Sequence, residues 1–177
     1  MSTYSIDPVA LSIGVLIGRI AFGLLMAAHG AQKAFGWFGG PGLEKFGELM
    51  MQLGFRPGRV FAAAAALGEI ASGLLVALGF LGPVGPALML SVMVVAIVTV
   101  HWGNGLFAMS NGIELPLLYA IAAVVLAAVG YGAWSLDGAL GLANRLPATV
   151  TWIILGAGIA GGFANAALRR RTAPAME

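Results

Sequence analysis

Five apolar runs make up most of this chain, at about Val9–Phe35, Val60–Leu81, Val84–Leu106, Ile113–Tyr131 and Val150–Leu168. Each is near or above the roughly 20 residues needed to cross a bilayer's hydrocarbon core. A helix satisfies its own backbone hydrogen bonds where no water can, so the runs predict spanning helices and an all-α integral membrane fold. Composition agrees: 60% of residues are hydrophobic and 9% charged, against about 25% charged in a soluble domain. With 177 residues divided this way, no separate soluble catalytic domain fits. There is no cysteine, which excludes disulfides, thiolate nucleophiles, iron–sulfur clusters and CxxC relays within the chain. No haem or flavin motif is recognisable either, so redox work would need electrons from a partner.

Charge sets the expected topology. No Lys or Arg precedes Arg19 and no small-residue cleavage site follows a basic region, so the first run reads as a retained helix and not a signal peptide. Lys33, Lys45, Arg56, Arg59 and the run Arg169–Arg170–Arg171 fall on one side of the five spans, and Arg145 alone on the other. The positive-inside rule then puts the N-terminus outside and the C-terminus in the cytoplasm. The arginine triplet is read as a topology anchor, and no nucleic-acid partner is expected.

The connections carry their own signals. Between the first two spans, Leu43, Phe46, Met50 and Leu53 recur at helical spacing, while Glu44, Lys45, Glu48 and Gln52 take the other face. This predicts a short cytoplasmic interfacial helix, a connector that could also serve as a lid or a docking face. Gly82-Pro83 through Gly85-Pro86 and Gly103-Asn104-Gly105 predict tight turns between antiparallel neighbours. Gly14 with Gly18, and Gly158 with Gly162, have the four-residue spacing of close helix packing, within the chain or between chains.

Two ionisable residues interrupt this pattern, Arg19 in the first span and Glu69 in the second. Counted from Val9 and from Arg59, each lies ten residues in, or ~15 Å. The expectation is a midplane Arg19–Glu69 pair, since an intramembrane charge rarely faces lipid. Such a pair would either register the two helices or line a ligand cavity.

A second polar group is expected at the cytoplasmic end. His29 and Lys33 are four apart near the end of the first span, His101 and Asn104 three apart near the end of the third, and Glu114 opens the fourth. Histidines beside a carboxylate suit proton-coupled chemistry at a quinone head group, and equally a metal's ligand set. Each residue also has a structural explanation: Lys33 snorkels, the histidines sit at a water boundary beside Trp37 and Trp102, and Glu114 follows Asn111 as in a capping box. Pro116 fits that early helix position imperfectly.

The run Gly18-Arg19-Ile20-Ala21-Phe22-Gly23 leading through His29-Gly30 to Lys33, then Gly68-Glu69-Ile70-Ala71-Ser72-Gly73-Leu74, and later Asn111-Gly112-Ile113-Glu114, resembles the DoxX family of small bacterial membrane proteins. The resemblance covers roughly Val15 to Tyr131. It implies a four-helix transmembrane bundle, expected in residues 1–133; the chain departs from the family pattern in residues 134–177, which are expected to add a loop, a fifth transmembrane helix and a basic tail. It also implies a multi-pass protein of the bacterial inner membrane, linked to quinone-dependent thiosulfate-type oxidation or to oxidative-stress complexes. The resemblance marks Arg19, His29, Lys33, Glu69, His101 and Glu114 as positions to test without assigning their roles; the chemistry of the residues makes His29, Lys33, His101 and Glu114 candidate catalytic residues and Arg19, Glu69 and Asn104 candidate quinone-binding residues, and no metal is assigned. Protein partners or a homo-oligomer are expected in the bilayer. The rival reading is a non-enzymatic scaffold or chaperone-like subunit. A transporter is disfavoured, because no inverted repeat or pair of broken helices is visible.

Overall fold

The first helix is framed by its ends. Asp7 accepts a hydrogen bond from the Val9 amide, Pro8 occupies the first turn, and Gly36 closes the helix at φ 73°. In the computed structural model, which describes residues 7–143 and 145–170, α1 spans Pro8–Phe35, α2 Gly42–Gln52, α3 Gly58–Leu78, α4 Val84–Ala96, α5 Glu114–Val129, α6 Leu136–Ala139 and α7 Ala148–Ala167. No strand occurs among the described residues.

The apolar runs become helices close to their expected bounds. Beyond Ala96 the helix of α4 continues as a π-turn over Ile97–His101 and a 3-10 turn to Asn104, giving an apolar rod from Val84 to Asn104. That rod, α1, α3 and α7 are long and apolar enough to cross a membrane. α5 is shorter, at 16 residues or ~24 Å. It starts at Glu114, which leaves Pro116 in the first turn where no intrahelical N–H is needed. The capping box does not form: Ile113 is the N-cap, and Asn111 adopts a left-handed conformation at φ 60°.

One expected turn is longer than predicted. Gly105 leaves the helix at φ 81°, but the chain then makes a compact loop through Ala108–Ser110 before α5 begins. Ile113 N–H donates to Gly105 O and Glu114 N–H to Leu106 O, so the loop's two arms are pinned together.

α1 lies antiparallel to α3 along most of its length, α3 packs on α4, α4 on α5, and α5 returns to α1. This closes a four-helix bundle whose core includes Met26, Val76, Met89, Met93, Ala123 and Leu126. A Cβ at Gly23 would run into the backbone of Gly73 and Ala77, which shows how closely α1 and α3 approach. α7 packs mainly on α4. Gly158 lies against the Ala87 carbonyl and Gly162 against Ser91 and Val94, so this glycine pair packs within the chain. Gly14 has open space around it and Gly18 touches only Leu126.

α2 sits beneath α3 on the expected face, with Phe46 and Met50 buried against Phe55 and Ala62 and with Leu43 and Leu53 alongside. Large apolar side chains such as Ile17, Leu25, Leu67, Val125 and Ile153 remain exposed on the outside of the helices. On spanning helices such a surface is solvated by lipid, and the protein is a multi-pass membrane protein. Lys33, Lys45, Arg56, Arg59, Arg169 and Arg170 share one end of the bundle, hereafter the basic end. Arg171 and the remaining tail lie outside the described residues.

Residues 130–140 fold back over the opposite end. The Asp137 carboxylate accepts hydrogen bonds from Leu81 N–H at 3.0 Å and Gly82 N–H at 2.7 Å. Its own amide donates to Gly79 O at 3.0 Å. This cap encloses the α3–α4 turn, where Leu81 stands at φ 61°.

Candidate functional site

Arg19 and Glu69 are both buried, at 3% and 2% exposure, but they are not partners. The Arg19 guanidinium donates to Ala77 O at 2.7 Å and to the carbonyl of Trp134. It therefore ties α1 to the end of α3 and to the cap. Ala77 lies eight residues beyond Glu69 on α3, or ~12 Å along the axis. The depth count failed because the two helices are not flush: the first turns of α1 extend past the end of α3, so ten residues from Val9 is not ten residues from the membrane boundary.

Glu69 pairs with Lys33 instead. Lys33 Nζ donates to Glu69 Oε1 across the α1–α3 contact, and the same ammonium lies 5.1 Å from the centre of the Phe46 ring on α2. Lys33 keeps 28% of its side chain exposed. Its stem thus reaches inward from the basic end to a carboxylate that has no access to water. Glu69 Oε2 is buried with no hydrogen-bond partner. Arg19 Nε and Tyr131 Oη share that condition, and a buried polar atom without a partner at membrane depth is costly.

His29 lies one turn from Lys33 on α1. Its Nδ1 is 3.3 Å from Gln32 Oε1, and Gln32 Nε2 donates to Phe38 O at 3.4 Å. The imidazole stands edge-on to Tyr119 of α5, at 5.8 Å between centroids and 84° between planes. Tyr119 is buried in the core and also meets Phe22 edge-on. Lys33 and Glu69 thus join α1 to α3, and one turn earlier on α1 His29 with Tyr119 joins α1 to α5.

The other candidate residues form a separate group. His101 Nδ1 donates to Asn111 O at 2.7 Å. Asn104 Nδ2 donates to Val100 O at 3.1 Å and to Asn111 O at 3.2 Å. Glu114 Oε2 accepts from Ala108 N–H at 2.7 Å. These bonds hold the α4–α5 loop, and among the described residues no hydrogen bond or ion pair links them to His29 or Lys33. The expected convergence of five polar groups is therefore replaced by one buried cluster and one exposed loop network. Among the described residues no three of His, Cys, Asp and Glu converge as a metal set would.

Sequence reasoning passed over Tyr119, Gln32 and Phe46. Tyr119 had a signal, being the one hydroxyl-bearing side chain in α5. Asp137 had one too, as the lone acidic residue between Glu114 and the C-terminal Glu177. Their partners come from distant segments and are not legible in spacing.

The family model described as DoxX matches residues 14–102, from the N-terminal part of α1 to Trp102 near the end of the α4 rod. It includes Arg19, His29, Lys33, Glu69 and His101, while Asn104, Glu114 and Tyr119 lie beyond it. No curated protein and no solved structure matches the chain.

Proposed function

This chain belongs to the DoxX family of membrane proteins, and from that premise we propose that it is the lipid-embedded subunit of a quinone-linked redox system, with its head-group site at Lys33, Glu69 and His29. The observation that carries the reading is the buried, unpartnered Glu69 Oε2. A carboxylate oxygen there accepts a hydrogen bond from a ligand hydroxyl, while Lys33 holds the other oxygen, Oε1. His29, one turn before Lys33 on α1, adds an imidazole to the same region. Tyr119 walls the cluster on the α5 side.

A quinone supplies two-electron, two-proton chemistry when bound. The chain's residues would orient the head group and exchange protons with it: Glu69 takes a proton at Oε2, and Lys33, partly exposed at the basic end, connects that carboxylate to water. The absence of cysteine leaves electron delivery to a partner protein. We place the basic end in the cytoplasm of a bacterial inner membrane, following the charge bias. Thiosulfate-type sulfur oxidation and oxidative-stress defence are the two settings in which such a subunit would act.

The test is to purify the protein in mild detergent and quantify extracted quinone for wild type, Glu69→Gln and His101→Ala. Under reducing conditions, wild type and His101→Ala should retain the reduced form, the quinol, whose hydroxyl Glu69 accepts from, while Glu69→Gln loses it. A wild-type protein free of quinone that binds none when it is supplied would leave the scaffold reading in its place.

A further inference from the structure

The contact between α4 and α7 is tight at one end and open at the other. Gly158 and Gly162 let α7 press on the backbone of α4 at Ala87 and Ser91. Beyond that point α4 changes from an α-helix to a π-turn over Ile97–His101, a local widening that often accompanies a functional feature. The helices no longer mesh there. A groove of about 410 Å³ remains, lined by Val94, Ile97, Val98, Trp102 and Phe163. Its volume falls in the range of ligand sites, ~300–1,000 Å³, and its five lining side chains are all apolar or aromatic.

The same helix leads from this groove to a cluster of cations. Seven residues past Phe163, or ~10 Å along the helix direction, Arg170 N–H donates to Gly54 O at 2.9 Å. Gly54 itself is covered by the Arg170 carbonyl and the Arg169 side chain, leaving no space for a Cβ. The end of α7 is thus bolted to the turn that carries Arg56 and leads to Arg59, the second residue of α3. Arg56, Arg59 and Arg170 are exposed and Arg169 is half-buried. Among the described residues none of the four makes an ion pair, the sole pair being Lys33–Glu69.

Four guanidinium groups on two joined segments repel one another and require a counter-charge. Free phosphate would satisfy the charge and leave the groove open to solvent lipid, and an acidic protein segment would not fill a groove without polar lining atoms. A phospholipid with an anionic head group satisfies both features. We propose that the basic end of α7 is an anionic-phospholipid site: Arg56, Arg59, Arg169 and Arg170 hold the head group, and the α4–α7 groove takes one acyl chain. The arginines supply bidentate donors to phosphate, and the groove removes chain surface from competition with bulk lipid. This site is distinct from the Lys33–Glu69 cluster and stands or falls separately from it.

Native mass spectrometry of detergent-solubilised protein with phosphatidylglycerol and phosphatidylcholine of identical acyl chains tests the assignment. The expected result is preferential retention of phosphatidylglycerol, weakened about fivefold for each arginine removed in Arg56→Gln and Arg170→Gln. Arg145→Gln, which removes a cation between α6 and α7 at the opposite end of the bundle, should leave it unchanged. Val98→Trp, which fills the groove without altering charge, should also weaken retention while the unfolding temperature of the protein holds. Equal retention of the two lipids, an effect of Arg145→Gln as large as that of Arg170→Gln, or no effect of Val98→Trp would overturn the proposal. Displacement of the lipid by inorganic phosphate at equal concentration would overturn it as well, by showing a free-anion site.

Discussion

The Lys33 ammonium pairs with Glu69 across the α1–α3 contact, so the carboxylate buried between α1 and α3 is neutralised from the basic end of the bundle and not by Arg19. The two partners differ in their alternatives. Lys33 retains 28% exposure and can swing toward water, whereas Glu69, at 2%, cannot.

That asymmetry predicts unequal single substitutions. Lys33→Met strands a buried carboxylate and should destabilise by about 3–5 kcal/mol. Glu69→Gln leaves a lysine that can snorkel, and should lose about 1–3 kcal/mol. The double variant Lys33→Met, Glu69→Leu should recover much of the larger loss. Unfolding in detergent titrations measures all three, and equal losses from the two single variants would contradict the pairing as described.

Arg19 and Glu69 should behave as independent sites. Arg19 serves the carbonyls of Ala77 and Trp134, and Glu69 shares neither. In a cycle of Arg19→Gln, Glu69→Gln and the double variant, the stability changes should add within about 0.5 kcal/mol. A coupling of several kcal/mol would restore the direct pair that their isolated positions in the sequence suggest.

This is where sequence and structure part most clearly. Helix identity was legible, because apolar runs of membrane length leave the backbone few choices, and the apolar face of α2 was legible from its 3.6-residue period. The partner of Glu69 was not. Spacing places Lys33 and His29 on one helix face, but which carboxylate they meet depends on the relative slide of α1 and α3, and that slide is set by the Gly23–Gly73 contact. His101 and Glu114 share a depth with Lys33 in a linear count. In the fold their polar atoms are consumed by the α4–α5 loop, whose length was hidden behind Gly103-Asn104-Gly105.

The cap at the far end depends on Asp137. Asparagine offers one acceptor oxygen where the carboxylate offers two, so Asp137→Asn can keep only one of the bonds to Leu81 and Gly82. The expected loss is about 1–3 kcal/mol. Hydrogen exchange at the Gly82 amide and through residues 134–140 should rise, with exchange in α2 unchanged.

The glycines of α7 and α1 should differ in tolerance. A side chain at Gly158 would meet the Ala87 carbonyl, so Gly158→Leu forces α7 off α4 and should destabilise by at least about 1–3 kcal/mol. Gly14→Leu enters open space, and the monomer's unfolding should not change. Paired unfolding measurements in detergent check the contrast.

The central claim is that the free oxygen of Glu69 receives a ligand hydroxyl. It is tested most directly by titrating a short-chain quinol into nanodisc-embedded wild type and Glu69→Gln by calorimetry, with His101→Ala as the control for general disturbance. Saturable binding that Glu69→Gln weakens at least tenfold, about 1.4 kcal/mol, and that His101→Ala leaves intact is the predicted result. Equal affinity in wild type and Glu69→Gln would contradict it.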